Sequence, residues 1–326
     1  MKKIRWGIAG PGCIANKFAN AVKNVDCAVL VAVASRSYDS ANDFAQKYDI
    51  PNVFAGYESM ADSDCVDAVY ISTAHPFHFA CAELFMSRGK HILCEKPLCI
   101  NEYQATRLKE CAAKNNVFLM EAMWTRFLPA IEEISAIVKS GEIGDVVEVH
   151  SDFCYASSPD EEAKLFLNSM AGGSILDVGV YGFHFASIFL GSNPCEVSCV
   201  SQVEAGVDTH AHITLKYPNG AIASITSAIV LQKPETAFVY GTKGYIQVPT
   251  FYGATEFSVC VDGTARHVSK PSVGDGFEEE IYEVCNSINM GKTQSDVLPL
   301  NESIAIIKIM DNARSQIGVK YPFDGE

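Results

Sequence analysis

Ile4-Arg5-Trp6-Gly7-Ile8-Ala9-Gly10-Pro11-Gly12-Cys13-Ile14-Ala15 decides the fold. A short apolar run breaks at two glycines, and residues 14–23 then bring apolar side chains back every three or four positions. Strand, tight turn and helix in that order give G-x-G-x-x-A its meaning. Gly10 makes the turn, Gly12 lets the backbone approach a pyrophosphate, and Ala15 lets the helix pack close to its strand. The unpaired amides of Cys13 and Ile14 at the helix start complete an anion site. An ordinary strand–turn–helix with glycines for geometry alone has the same parts, so the flanking sequence must decide. Lys2 and Lys3 ahead of Ile8 and Ala9 imitate a secretion signal, but Arg5 interrupts the apolar part.

Downstream, apolar runs at 28–34, 66–71, 91–94 and 117–120, with a weaker one near Val53, alternate with helical periodicity at 38–48, 77–88 and 102–115. Strands alternating with helices imply βαβ crossovers and a parallel sheet covered on both faces. The expected architecture is an α/β Rossmann dinucleotide-binding domain over residues 1–121. Residues 122–326 follow a different pattern. A helix opens at Pro129 and stops at Gly141 and Gly144. Strand-like runs then dominate at 146–153, 196–203, 210–217, 221–230, 237–240, 245–248 and 256–261, and helices return at 277–289 and 302–316. Tyr217-Pro218-Asn219-Gly220-Ala221 reads as the turn of a hairpin. This half is expected to be an α+β domain with a large, mostly antiparallel sheet, serving substrate binding and dimerisation. Apolar residues on both alternating sets of 221–230 suggest a sheet covered on both faces, one of them by a second copy of the chain.

The chain has 326 residues, 48% of them hydrophobic and 20% charged, enough apolar material for two cores without disulfide or metal staples. Its formal net charge of −14 makes nucleic acid and anionic membrane surfaces poor partners. No apolar stretch approaches the roughly 18 residues of a membrane span. Twelve cysteines without a CxxC pair read as reduced thiols, and the expected setting is cytoplasmic.

The second strand-like run ends in Ala34-Ser35-Arg36-Ser37. A dinucleotide site that takes NAD usually places an acid here for the ribose hydroxyls, whereas an arginine accommodates the 2′-phosphate of NADP. Arg36, with Ser35 beside it, favours NADP. The competing reading leaves Arg36 solvated and gives the ribose to Asp39, which helix capping also explains. At 91–97 a strand runs into Glu95-Lys96-Pro97. In a parallel sheet this is a carboxyl end, where ligands bind. Pro97, a candidate cis residue, fixes the backbone that aims Lys96. By spacing alone this is an ordinary strand-end turn.

Together, Gly10-Pro11-Gly12, Ala34-Ser35-Arg36, Thr73-Ala74-His75-Pro76-Phe77-His78, Glu95-Lys96-Pro97 and Gly172-Gly173-Ser174-Ile175-Leu176-Asp177-Val178-Gly179-Val180-Tyr181 resemble the Gfo/Idh/MocA oxidoreductases over nearly the whole chain. Residues 119–127 and 239–244 are most similar to the dimeric dihydrodiol dehydrogenase branch, which includes NADP-linked D-xylose dehydrogenases. The resemblance implies hydride transfer between a nicotinamide and a carbinol of a sugar, polyol or cyclic diol. It assigns Lys96 to the reacting hydroxyl and the nicotinamide region, Asp177 to substrate orientation and Tyr181 to proton transfer. It gives Ser72, Thr73, His75, His78, Glu95, Trp124 and Arg126 to the cofactor and Phe153 to the substrate pocket. The loop often written T-P-N-x-x-H departs here, with Ala74 and His75 in place of Pro and Asn. A free tyrosine has a pKa of about 10, so a base at neutral pH needs a neighbouring cation such as Lys96. His184 shares the helical face of Tyr181 and is the competing acid/base. A regulator that binds NADP without turnover is the competing function.

Three other patterns carry less. Gly291-Lys292-Thr293 resembles the end of a phosphate loop but follows a helix and has Asn286 where the upstream glycine belongs. Asp208, His210 and His212 have strand-face spacing for a metal, though surface strand residues are the commoner explanation, and no metal is expected. Cys94 reads as a buried strand thiol with no histidine partner.

Overall fold

The structure, a computed structural model, describes residues 2–325 apart from the side chain of residue 161. The chain divides into two compact units. One comprises residues 1–124 and 273–304, and the other 125–272 and 305–326. The helix Phe277–Asn289 therefore belongs with the first unit, although the chain order that set the expected boundary at 121/122 places it in the second half.

In the first unit, β1 (Ile4–Ala9), β2 (Ala28–Ser35), β3 (Asn52–Ala55), β4 (Ala68–Ile71), β5 (His91–Glu95) and β6 (Leu119–Ala122) form one sheet. Its order is β3-β2-β1-β4-β5-β6, and every pairing is parallel. The strand order reverses at β1 and β4, the switch point beyond whose carboxyl ends ligands bind in doubly wound sheets. Between the strands run α1 (Cys13–Ala21), α2 (Tyr38–Tyr48), α3 (Tyr57–Ala61), α4 (His78–Ser87) and α5 (Glu102–Asn115). Local chemistry sets their ends. Ser37 caps α2 by accepting from the Ser40 amide, Asn101 caps α5 through Gln104, and Asp49 and Asn116 close the same helices in left-handed conformation. Under the sheet Trp6 meets Phe18 edge-on at 5.3 Å, and Phe18 stacks on Tyr70 at 3.9 Å.

The second unit opens with α6 (Pro129–Lys139), β7 (Val146–Cys154), the short α7 (Pro159–Glu162) and α8 (Val180–Leu190). Then come β8 (Glu196–Glu204), β9 (Val207–Lys216), β10 (Ile222–Ala228), β11 (Ala237–Gly241), β12 (Gly244–Val248), β13 (Glu256–Val261) and β14 (Thr264–Ser269). Their sheet has the order β14-β13-β12-β11-β7-β10-β9-β8, antiparallel except for the parallel pair β7 and β10. The turn at 217–221 joins β9 and β10 as a hairpin. One face carries Val149, Ile213, Ile225, Val239, Ile246 and Val259, all buried, and α8 lies against its β7 and β10 strands. Gly182 permits that approach, since a Cβ there would lie 2.6 Å from Ile225 and 2.7 Å from Ser151. The stretch Asn168–Leu190 does reach membrane-like hydropathy, contrary to the reading of the bare sequence, but 78% of its apolar window is buried, as in a core helix. After the sheet come α9 (Phe277–Asn289), in the first unit, and α10 (Leu300–Gln316), which crosses the division.

Candidate active site

In the first unit the β1–α1 turn is tied to the end of β4. Gly10 has φ +92°, and a Cβ there would stand 3.1 Å from Thr73, so only glycine fits without strain. Its carbonyl accepts from Ser72 Oγ at 2.8 Å and from the Gly12 amide at 2.8 Å. Gly12 begins α1 with no side-chain cap, leaving the first-turn amides of Cys13 and Ile14 to an outside acceptor. Thr73 Oγ1 is buried without a hydrogen-bond partner. A glycine cradle, open helix amides and an unpaired hydroxyl fit a dinucleotide pyrophosphate.

At the end of β2, Ser35 Oγ accepts from the Ser37 amide at 3.3 Å. Exposed Arg36 lays its guanidinium over Phe77, 5.2 Å from the ring centroid, and makes no ion pair among the described residues. Asp39 sits in the first turn of α2, where Ser37 is the cap, as helix chemistry accounts for it.

Beyond β5 every residue from 92 to 101 is buried except Lys96. The Lys96–Pro97 bond is cis. Glu95, buried beneath it, accepts from the Tyr70 hydroxyl and, at 3.2 Å, from the Lys96 amide. Burial pushes the Glu95 carboxyl up, and the Tyr70 hydrogen bond and the Lys96 charge oppose that rise. Glu121 accepts from the Leu98 amide at 3.0 Å. His78 is fully buried, with its ring nitrogens 2.9 Å from the Pro97 and Thr73 carbonyls. Burial lowers its pKa although both carbonyls favour the charged ring, so the neutral ring donates to one carbonyl at a time. The resemblance assigns His78 to the cofactor; its geometry is that of a clamp between two loops. His75, in the turn ahead of α4, is half-buried, its ring 5.9 Å from that of His78. Trp124 stacks on Phe277 at 5.2 Å, with Lys17 Nζ 5.9 Å from both rings.

In the second unit a single π-helical turn, Ile175–Gly179, precedes α8 and carries Asp177. Tyr155 donates to Asp177 Oδ2 at 2.9 Å, and burial, with that carboxylate and Glu162, keeps the Tyr155 phenol protonated. Tyr181, 8% exposed, packs its ring 5.3 Å from Phe153 and 5.9 Å from Tyr252, while Phe153 stacks on Tyr252 at 4.3 Å. His184 lies deeper, 1% exposed. Arg126 donates to the His184 carbonyl at 3.3 Å and to Ser187 Oγ at 2.8 Å, so its observed contacts brace α8. Asp208, weighed above as a surface strand residue, is fully buried under the glycine-rich turn, accepting from Ser174 Oγ at 2.8 Å and the Ile175 amide at 2.7 Å. His212 meets Thr226 Oγ1 at 3.2 Å. Among the described residues no three His, Cys, Asp or Glu side chains gather as metal ligands. Cys94 is buried and its thiol pushed well up by desolvation, an inert state.

Tyr70, Glu121, Tyr155 and Tyr252 escaped the sequence reading. Tyr155 alone carried a signal, two residues beyond Phe153 and so on the same side of an extended chain.

Residues 4–123 match the oxidoreductase family with an NAD-binding Rossmann fold, and residues 131–247 match the GFO/IDH/MocA C-terminal domain. The chain is 35% identical to the trans-1,2-dihydrobenzene-1,2-diol dehydrogenase of Mus musculus, covering 98% of this chain and 99% of that one. It is 34% identical to the Homo sapiens protein of that name over the same shares. A 3-ketoreductase from Actinomadura kijaniata, solved with NADP and TDP-benzene, superposes with a TM-score of 0.85 at 24% identity, covering 96% of this chain and 98% of that one. The strand order, the glycine cradle, the clamped Lys96 and the turn bearing Asp177 thus accompany matches to both domains, and the chain belongs to the GFO/IDH/MocA oxidoreductases.

Proposed function

We propose that the chain is an NADP-preferring dehydrogenase that oxidises a secondary alcohol of a sugar, polyol or cyclic trans-diol, or reduces the matching carbonyl. Lys96 carries this reading: one half-exposed cation in a stretch otherwise buried, pinned by Glu95, Glu121 and His78. A lysine so mounted serves a reacting group better than it serves solubility. The names of the mouse and human relatives support a cyclic diol as one substrate class.

Bound NADP supplies the hydride acceptor or donor. Gly10, Gly12, Cys13, Ile14 and Thr73 would hold its pyrophosphate, Ser35 and Arg36 its 2′-phosphate, and Ser72 and His75 the neighbouring ribose. The chain itself handles the proton. In oxidation the Tyr181 phenolate takes the proton of the substrate hydroxyl, and in reduction the phenol returns one to the carbonyl oxygen. Lys96 donates to the reacting oxygen. Asp177 accepts from an adjacent substrate hydroxyl. A regulator that binds NADP without turnover needs neither Lys96 nor Tyr181. Nicotinamide absorbance across a panel of sugars, polyols and trans-diols, with NADP and NAD, tests the proposal. NADP binding without turnover on any member would overturn it.

We further propose a homodimer built on the open face of the second unit's sheet. That face carries Phe238 stacked on Tyr240 at 5.4 Å, Tyr245 beside them, and Val200 67% exposed. An aromatic patch on a sheet whose other face is filled suits a self-complementary interface. A reducing, cytoplasmic setting suits the twelve free cysteines.

A further inference from the structure

Asp208 has no part in binding dinucleotide or substrate as described above, yet its carboxylate reaches the turn that carries Asp177. Oδ2 takes the Ser174 hydroxyl and the Ile175 amide. Oδ1 faces Gly173, whose φ of +118° brings it so close that a Cβ would fall 2.3 Å from that oxygen. Ser174 Oγ also touches Ser227 of β10, at 2.9 Å from its hydroxyl. One carboxylate therefore fixes the first residues of the segment 173–181, which ends in the Asp177 and Tyr181 side chains.

We propose that Asp208 is a positioning residue for Asp177 and Tyr181, and that its ionised form holds the glycine-rich turn in the working conformation. The proposal rests on the reading of Asp177 and Tyr181 given above. An ionised acceptor makes shorter, stronger hydrogen bonds than a neutral one, so protonation loosens both anchors at once. The charged and titratable groups facing Asp208 are few. Arg314 of α10 favours its ionised form but is itself paired with Asp311 and Asp324. Tyr321, its phenol raised far by burial, and Cys199 of β8, pushed up to about 12, both stay neutral. Burial outweighs the Ile175, Ser174 and Arg314 contributions and pushes the Asp208 carboxyl up to about 6, inside the working range of a cytosolic enzyme.

The test is the pH profile of kcat for the wild type, Asp208→Asn and Ser174→Ala, read with near-ultraviolet circular dichroism of the substrate-free chain. Wild-type turnover is expected to fall about tenfold from pH 8 to pH 5. The signal of Tyr155, Tyr181 and Tyr252 is expected to change with the same midpoint. Asparagine keeps an oxygen for both donors and cannot ionise. Asp208→Asn should have a severalfold lower plateau, no limb near pH 6, no dichroism transition and an unchanged KM for NADP. Ser174→Ala removes one donor and should move limb and transition upward together. An unchanged limb and transition in Asp208→Asn would overturn the proposal, as would a uniform loss in both variants with the wild-type limb retained. Failure of the Tyr181 assignment is separately visible, as full turnover in Tyr181→Phe.

Discussion

Tyr181→Phe is the substitution whose outcome separates proton transfer from packing. The ring lies against Phe153 and Tyr252, at 5.3 and 5.9 Å between centroids, and those contacts survive in phenylalanine. Only one oxygen is lost, so stability should change by less than about 1 kcal/mol. NADP affinity should hold, because the glycine cradle and Arg36 belong to the other compact unit. Turnover should fall by about 10²–10⁴, the usual contribution of a positioned acid/base, or about 3–5 kcal/mol of barrier. Steady-state kinetics on the best substrate, with a thermal melt and an NADP titration as controls, measures all three. Lys96→Met should lose a comparable factor, and the double variant much less than the product, because groups acting as a unit are not additive. Turnover retained in Tyr181→Phe would refute the assignment and leave His184 as the acid/base.

Arg36→Ala should weaken NADP by about 1.5–3 kcal/mol and spare NAD, the scale of a charge-assisted hydrogen bond; equal losses in a titration with both cofactors would contradict the 2′-phosphate role. Asp67 is opposed by burial but held down to about 2 by Arg5, which donates to it at 3.0 and 2.8 Å. Its folded pKa lies below the ordinary 3.8, so its stabilisation is present above about pH 4 and lost as pH falls toward 2. In Asp67→Asn that component of the acid-unfolding curve should vanish. Light scattering at micromolar concentration should give a dimer mass, and Tyr240→Lys or Tyr245→Lys on the open face should give a monomer.

The first unit was legible because each of its signals was local. Buried parallel strands show as unbroken apolar runs such as Ala68-Val69-Tyr70-Ile71, although the equally apolar Val29 of β2 is exposed, and glycines mark the β1–α1 turn. β14 was not read, since it is an edge strand of mostly exposed residues without an apolar alternation. Placement of α9 in the first unit was not read either, because compactness is a long-range property and chain order is not. Site residues divide similarly. Lys96 and Tyr181 stand in motifs, whereas Tyr70 and Glu121 act by pairing across 25 and 23 residues, to Glu95 and Leu98. Asp208 was considered only with its strand neighbours His210 and His212, yet its partner is the turn 33 residues earlier.

Both units hold a buried carboxyl, raised by desolvation, beneath a segment with a proposed role: Glu95 under Lys96 and Asp208 under the Asp177 turn. Such groups oppose folding at neutral pH. For Asp208 the folded value of about 6 lies above the ordinary 3.8, so no penalty exists below about pH 4, and it is complete above about pH 6. The gap corresponds to about 3 kcal/mol, less whatever structure the unfolded chain retains. An asparagine avoids that cost, and its bonds to Ser174 and Ile175 are of the same neutral kind as those of the protonated carboxyl, the extra strength of the ionised bonds being already inside the gap. Asp208→Asn is therefore expected to melt higher than the wild type at pH 8, and close to it at pH 4 where the wild-type carboxyl is already neutral, while its turnover at pH 8 is the smaller. A stabilised but slower variant is the signature of a residue kept for position rather than for stability. Lower stability in equal measure at both pH values would show instead that Asp208 is an ordinary structural anchor with no ionisation to spend.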